Sequence, residues 1–198
     1  MYKYEIIRRQ KIQYVVFLHG NVSIGYCSKD RKKGPNGCIC RKCHKTYTPS
    51  KLLYPIKRKN YNNDSFIAGE WEDLKRVLEN AYILTIFGYS APKSDEEAIS
   101  LMKTAWGDNY KRNLEEIEIV DVKEEDELCL TWKDFIHSHH YSTCKDFYDS
   151  WIAKHPRRTC EAFWDETMEL KKVKENNIPK NCGFPQLWDF YEQLKKAE

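Results

Sequence analysis

Four cysteines within seventeen residues constrain this chain more than any other feature of its sequence. Their spacing is Cys27-x10-Cys38-x-Cys40-x2-Cys43, in a stretch that also contains glycine, proline and many lysines. Four thiolates in one loop can surround a tetrahedral zinc ion at about 2.3 Å. The spacing therefore predicts a zinc site at these four residues, with a set of free thiols as the alternative. Because a Cys-x-Cys pair is an unusual half-site, His44 could replace one of its members.

A zinc ion bound in this way would be structural. A closed set of four protein ligands leaves no coordination position for a water molecule, which a catalytic zinc site requires. Residues 20–50 also carry little periodic apolar content. We therefore expect an irregular insertion that needs a bound metal to fold, since it cannot bury a core of its own.

The insertion is strongly basic. Between Lys29 and Lys59 there are eleven Lys or Arg residues and one acidic residue, Asp30. Two tyrosines are interleaved with these cations, so nucleic-acid binding is one hypothesis for the segment. A solvated face on an exposed insertion is the simpler interpretation, and on the sequence alone it is the one we favour.

The sequence favours a cytoplasmic protein. It contains no apolar run near the roughly 20 residues that a membrane span needs. Its first ten residues, MYKYEIIRRQ, lack the apolar centre and cleavage site of a signal peptide. In a reducing compartment, cysteines bind metal or stay free more often than they form disulfides.

Strand-like and helix-like segments alternate in the first two thirds of the chain. The predicted order is a buried strand at Tyr14–Leu18, the insertion, a helix over about 66–80, a strand at 82–87, a helix after a Ser94/Glu97 capping box, and a strand at 114–122. This alternation predicts an α/β fold with a partial Rossmann-like parallel sheet and a cysteine-rich zinc-binding insertion.

The remainder of the chain has a different pattern. Past residue 130 the apolar spacing predicts helices throughout, at about 131–138, 143–154, 157–175 and 185–196. We therefore divide the chain into an α/β domain, 1–128, and a C-terminal helical extension, 129–198.

Small or polar residues follow each predicted strand. His19 and Gly20 follow the first strand, Gly88 and Ser90 the second, and Asp121 ends the third. Ligands of open parallel sheets bind beyond the carboxyl ends of the strands. Each of these residues has an ordinary structural role when taken alone, such as a turn or a helix start. Together they predict half of a nucleotide site.

The order of these features resembles that of the sirtuin family over about residues 14–122. The shared elements are a strand ending in His-Gly, a cysteine-rich excursion, a strand ending in Gly-x-Ser, and a strand ending in a polar residue. The segment LTIFGYSAPKSD is similar to the family's Gly-Thr-Ser segment, with Tyr89 in place of the usual Thr. The chain is more similar to the divergent bacterial sirtuin-like proteins, many of which act in antiphage defence, than to the protein deacetylases.

The resemblance implies an NAD-binding protein related to enzymes that cleave the nicotinamide–ribose bond, as NAD hydrolases or deacylases. It makes His19 the catalytic base, or the residue that orients the nicotinamide ribose, and it makes Gly20, Gly88, Ser90 and Asp121 contacts to NAD. It also implies that the cysteines hold a structural zinc, although the family usually has two Cys-x2-Cys pairs and this sequence has one.

One family feature is missing from this sequence, the Gly-Ala-Gly-x-Ser turn that cradles the NAD phosphates. The resemblance therefore corresponds to the C-terminal half of a sirtuin-like domain. We expect an upstream half, supplied by a partner, to be needed for activity, and we expect the exposed sheet edge to promote self-association or partner binding. The alternative is a non-catalytic zinc-binding interaction module that docks on a protein or a nucleic acid.

Overall fold

The computed structural model of the chain describes residues 15–53, 64–91, 95–107, 115–136 and 140–197. The chain divides into two compact units. The first, which we call the cysteine-rich unit, comprises Met1–Asn80 and Pro92–Trp106. The second, which we call the sheet unit, comprises Ala81–Ala91 and Gly107–Glu198. The predicted division into 1–128 and 129–198 stays a prediction.

The cysteine-rich unit contains a small antiparallel sheet and two helices. Its elements are β1 (Ile24–Cys27), β2 (Lys32–Pro35), β3 (Thr48–Pro49), α1 (Ser65–Leu78) and α2 (Glu96–Trp106). The sheet order is β2-β1-β3, and both pairings are antiparallel. The prediction of an irregular insertion over 20–50 is therefore wrong, because residues in this segment form a regular sheet. Its strands of two to four residues are too short to give a periodic apolar signal.

The predicted helices of this unit are confirmed, with small changes at their ends. Asp64 is the N-cap of α1, and its carboxylate accepts hydrogen bonds from the backbone N–H groups of Phe66 and Ile67. The Ser94 of the predicted capping box lies outside the described residues. Buried residues from β1 and from both helices then form one core, namely Ile24, Phe66, Ile67, Trp71 and Ala98.

The strand predicted at Tyr14–Leu18 is wrong over the residues that the structure describes, 15–18, which adopt no regular secondary structure. Side chains of α1 satisfy the backbone groups here. The Phe17 N–H donates to Glu70 Oε2 at 2.6 Å, and the Leu18 carbonyl accepts from Trp71 Nε1 at 3.2 Å. Because these half-buried polar groups already have partners, the segment needs no neighbouring strand.

The turn after this segment gives the first prediction, which concerns Gly20. Its φ is +82°, and an added Cβ would lie 1.9 Å from the Lys51 carbonyl oxygen. Gly37 has a similar φ, +77°, but open space around its Cα. We expect Gly37→Ala to lower the free energy of unfolding by about 1–2 kcal/mol, the cost of a left-handed alanine. Gly20→Ala should cost clearly more, because the backbone at Lys51 must also move.

Urea unfolding of both variants, followed by tryptophan fluorescence, checks this prediction. Gly37→Ala is the matched control, since it carries the same backbone strain without the steric contact. Equal losses of stability in the two variants would contradict the close approach of Gly20 to Lys51.

The sheet unit is built on three parallel strands. Its elements are β4 (Ile83–Phe87), β5 (Glu116–Val120), α3 (Glu125–Ile136), β6 (Tyr141–Cys144), a 3-10 turn (Phe147–Asp149), α4 (Trp151–Lys154), α5 (Thr159–Thr167) and α6 (Phe184–Lys196). The strand order is β4-β5-β6, and both pairings are parallel. All five residues of β5 are buried, as expected for a central strand. This sheet confirms the predicted α/β class.

The prediction of helices throughout the chain past residue 130 is wrong at β6, and the helix predicted over 157–175 ends at Thr167. Its sequence, Tyr-Ser-Thr-Cys, has no apolar run, but the strand pairs with β5 from Ile117↔Tyr141 to Val120↔Cys144. Buried Glu118 of β5 also contacts this strand, since its carboxylate accepts a hydrogen bond from the Cys144 thiol at 3.8 Å. The same carboxylate accepts from the Thr85 hydroxyl and from the Trp151 N–H. The strand is therefore specified by its neighbour more than by its own pattern. Across the described residues, helices long and apolar enough to span a bilayer are absent.

Candidate metal centre and strand ends

Three cysteines and one aspartate converge in the cysteine-rich unit. The ligand atoms of Cys27, Asp30, Cys40 and Cys43 all lie within 4.8 Å of one another. The Sγ atoms of Cys27 and Cys43 are 3.4 Å apart, and Cys40 Sγ is 3.4 Å from Asp30 Oδ2. Four ligands placed tetrahedrally about 2.3 Å from a metal are separated by about 3.8 Å. The four groups are therefore already close to the spacing that a bound zinc ion requires.

The ligands come from two turns with the same local pattern. One turn presents Cys27-x2-Asp30, and the other presents Cys40-x2-Cys43. In each turn the residue after the second ligand has a positive φ, 49° at Arg31 and 59° at His44. The two turns thus present their ligands in the same way. Asp30 is the second ligand of the first turn, as Cys43 is of the second.

Hydrogen bonds organise the four groups without a metal. The Cys43 thiol lowers the pKa of Asp30, and the same contact with the carboxylate raises the pKa of Cys43 to about 12. The backbone N–H groups of Cys43 and Lys42 lower the pKa of Cys40 by stabilising its thiolate. A bound cation would take the place of the shared protons, because zinc binds thiolates and carboxylates in their deprotonated forms.

The side chain of Tyr47 joins the second turn to the sheet. Gly25 and Gly34 face each other in the β1–β2 register. A Cβ on Gly25 would lie 2.7 Å from the Tyr47 Cβ, and one on Gly34 would lie 2.6 Å from Tyr47 Cε2. Because Gly25 and Gly34 carry no side chains, there is room for the Tyr47 ring between these positions. Tyr47 in turn brings the Cys40–Cys43 turn against β1, the strand that ends at Cys27.

Cys38 and His44 lie outside this group of four ligands. Both are exposed, and neither contributes an atom to the cluster. Cys38 instead uses its backbone, since its carbonyl accepts from the Tyr47 N–H at 2.8 Å. The predicted ligands Cys27, Cys40 and Cys43 are thus brought together, whereas the fourth position is taken by Asp30.

The donor set fits zinc. Three thiolates and one carboxylate belong to the ligand types that Zn²⁺ accepts, and four protein ligands match its tetrahedral preference. Cys27 and Cys40 are 5% and 1% exposed, and the side chain of Asp30 is 5% exposed. The centre is therefore closed to solvent on most sides, which fits a structural role.

The predicted strand-end residues of the sheet unit lie on adjacent strands. Phe87 and Val120 are register partners, so Gly88 and Asp121 follow at the same edge of the sheet. Gly88 has a φ of +70°, with open space where a Cβ would project. Asp121 accepts the N–H of Lys123 through Oδ1.

The other groups at this edge are aromatic or polar. Ser90 is exposed, and the ring of Tyr89 packs edge-on against Trp132 at 5.8 Å. Phe87 is 63% exposed, and its ring lies 5.1 Å from that of Phe147. The edge therefore presents a glycine, a hydroxyl, a carboxylate and an aromatic surface together.

His19 and Gly20 belong to the other unit. The His19 side chain is exposed. The backbone carbonyl of His19 accepts a hydrogen bond from the Leu53 N–H at 3.0 Å. Gly20 donates its N–H to the Phe17 carbonyl at 2.9 Å, which closes a turn. The catalytic role of His19 and the NAD contact of Gly20 stay predictions.

Comparison with known proteins adds one distant similarity. Neither a protein-family model nor a curated protein sequence matches this chain. A solved structure described as a Sir2 homologue–NAD complex is 15% identical, with a TM-score of 0.31. The match covers 66% of this chain and 45% of the Sir2 homologue. This chain therefore spans less than half of the length of that protein.

Proposed function

We propose that this chain is a sirtuin-like NAD-binding segment stabilised by a structural zinc ion. The observation that carries the proposal is the shared edge of β4 and β5, where Gly88 and Asp121 follow a register pair of parallel strands. Dinucleotides bind open α/β sheets at this edge. The order of motifs, from His19-Gly20 through the cysteines to the strand ends, supports the sirtuin-like assignment.

The chemistry of the edge suits a nucleotide. Gly88 allows a phosphate or ribose to approach the backbone, since no side chain occupies that space. Asp121 has one carboxylate oxygen bonded within its turn and is half-buried. Its second oxygen can accept hydrogen bonds from ribose hydroxyls, which is the role of the acidic residue in dinucleotide-binding sheets. Exposed Phe87 offers a ring on which a base can stack.

Isothermal titration of the chain with NAD tests this proposal. We expect saturable heat, and we expect Asp121→Ala to weaken NAD binding about tenfold, because about 1.4 kcal/mol of hydrogen bonding to the ribose is lost. Asp126→Ala is the matched control, since this exposed acid lies five residues away in the first turn of α3. No heat at millimolar NAD, or equal weakening by both variants, would refute NAD binding at this edge.

The reaction class we propose is cleavage of the nicotinamide–ribose bond, with His19 as the catalytic base and with a role in antiphage defence. Imidazole is suited to proton transfer near neutral pH, and the His19 side chain is exposed. A second polypeptide would complete the sheet and supply the glycine-rich phosphate turn. Nicotinamide release on mixing the two polypeptides, lost in His19→Ala, is the expected result. Activity that survives His19→Ala would remove the histidine from the reaction.

A further inference from the structure

Charge is distributed very unevenly along this chain. Residues 6–63 contain fourteen Lys or Arg and a single acid, Asp30, whereas the other 140 residues contain nineteen Lys or Arg and twenty-nine acids. The net charge of +3 thus hides a segment of +13 and a remainder of −10. A polyanion is attracted to such a segment and repelled by the rest of the surface.

In the structure, several of these cations lie on the two turns that form the candidate metal centre. Lys29 and Arg31 flank the ligand Asp30 in the first turn, and Arg41 and Lys42 lie between the ligands Cys40 and Cys43 in the second. All four cations are exposed. Because the ligand atoms of the two turns lie within 4.8 Å of one another, the cations next to them in the chain are brought close to the centre. We call the exposed cations of residues 15–53 the basic face: Lys29, Arg31, Lys32, Arg41, Lys42, Lys45 and Lys51.

The one acid of this segment leaves the basic face largely unscreened. Asp30 directs its carboxylate toward the cysteines and is 5% exposed at its side chain, although Lys42 Nζ lies 3.5 Å from Oδ1. A zinc ion with three thiolates and one carboxylate has a formal charge of about −2, which the cations outnumber. Lys33 is set apart, since it pairs with buried Glu70. The exposed charged side chains of residues 15–53 are therefore all cationic.

We propose that the basic face binds nucleic acid through its phosphates, without reading the base sequence. Its cations lie on turns and short strands, and none of them is on a helix that could enter a major groove. Within the described stretch 15–53 they also do not flank an amphipathic helix, the element with which basic proteins commonly bind membrane surfaces. Phosphate contacts from Lys and Arg give affinity and position but little specificity. This inference is independent of NAD binding.

Fluorescence anisotropy with a labelled 20-base-pair duplex and a 20-nucleotide single strand tests the proposal. The protein is the full chain purified with zinc, and the salt is varied from 50 to 200 mM KCl. Each phosphate contact contributes about −0.9 to the slope of log K against log salt on a duplex, and about −0.7 on a single strand. Four contacts to the duplex would lower its affinity on the order of 100-fold over this range.

The variant that tests the site replaces Lys29, Lys32 and Lys45 with glutamine. We expect at least tenfold weaker duplex binding at 50 mM KCl, and a salt slope reduced by up to about 2.7 if each lysine contacts a phosphate. The matched control makes the same change at Lys172, Lys174 and Lys196, which are exposed in the sheet unit. Its affinity and slope should equal those of the wild type. Zinc content and thermal unfolding verify that both triple variants are folded.

Three results would overturn the proposal. The first is no binding to either nucleic acid at 50 mM KCl. The second is an equal loss of affinity in the test and control variants, which would mean that overall charge alone attracts the polyanion. The third is tighter binding to vesicles containing phosphatidylserine than to the duplex, which would make a membrane surface the partner of the basic face.

Discussion

Cys40→Ser is expected to abolish zinc binding, whereas Cys38→Ser is expected to leave one zinc ion per chain. Cys40 is 1% exposed, and its Sγ lies 3.4 Å from the Asp30 carboxylate. Cys38 is exposed and contributes no atom to the cluster. Cys38→Ser is thus a matched control two residues away. Zinc released by acid and counted with a chromophoric chelator measures the stoichiometry of both variants.

Asp30 gives the sharper comparison, because the sequence alone did not predict it as a ligand. Asp30→Ala should weaken zinc binding by at least 10–100-fold, the loss expected even for groups that only support a metal ligand. If Cys38 were the fourth ligand instead, Cys38→Ser would lose zinc and Asp30→Ala would keep it. The pair of variants therefore decides between Cys38 and Asp30 directly.

Loss of the metal should also unfold the small sheet. The free energy of zinc binding to small structural sites is about 10–16 kcal/mol at neutral pH, and much of it is folding free energy. Strands β1 to β3 have two to four residues each, and few of their side chains join the core. Addition of a strong chelator should therefore remove amide protection in this sheet first. Amide hydrogen exchange that is unchanged after chelation would show that the sheet folds without metal.

The four residues that the structure brings together could have been predicted more fully from the sequence. Cys27-x2-Asp30 has the same spacing as Cys40-x2-Cys43, so two equivalent pairs were visible. The prediction counted cysteines and took Cys38 as the fourth ligand. The carboxylate was overlooked because an aspartate between a lysine and an arginine is normally a surface residue. The fact that Asp30 is the one acid in a long basic segment was a further signal.

The fold was predictable where local pattern decides it. β4 is an apolar run that ends at a glycine, and α1 has an N-cap followed by helical apolar spacing, so both were predicted close to their observed limits. The segment 15–18 and β6 were missed because their conformations depend on distant residues. Glu70 lies 53 positions from Phe17, and β6 is defined by its pairing with β5. Such contacts leave no trace in a short window of sequence.

Glu70→Ala is expected to lower the stability of the cysteine-rich unit by about 3–5 kcal/mol, the usual cost of breaking a buried ion pair. Glu70 is 4% exposed, and both of its carboxylate oxygens lie 2.8 Å from Lys33 Nζ. The carboxylate also accepts the Phe17 N–H. Alanine would leave a buried ammonium group and a buried N–H without this acceptor. Urea unfolding of the zinc-bound protein measures the loss.

An exposed ion pair on the same helix is the control. Asp73 and Arg76 are 2.6 Å apart, but the Arg76 side chain is 71% exposed, so Asp73→Ala should cost no more than about 1 kcal/mol. The double variant Lys33→Met/Glu70→Leu removes both charges, and it should recover much of the stability that Glu70→Ala loses, since an apolar pair needs no desolvation. Lys33 Nζ also donates to the Val15 carbonyl at 2.7 Å. A double variant as unstable as Glu70→Ala would therefore mean that the bonds to Val15 and Phe17, rather than the ion pair, are the interactions that matter. The 15–18 segment would then depend on Lys33 and Glu70 for its backbone hydrogen bonds.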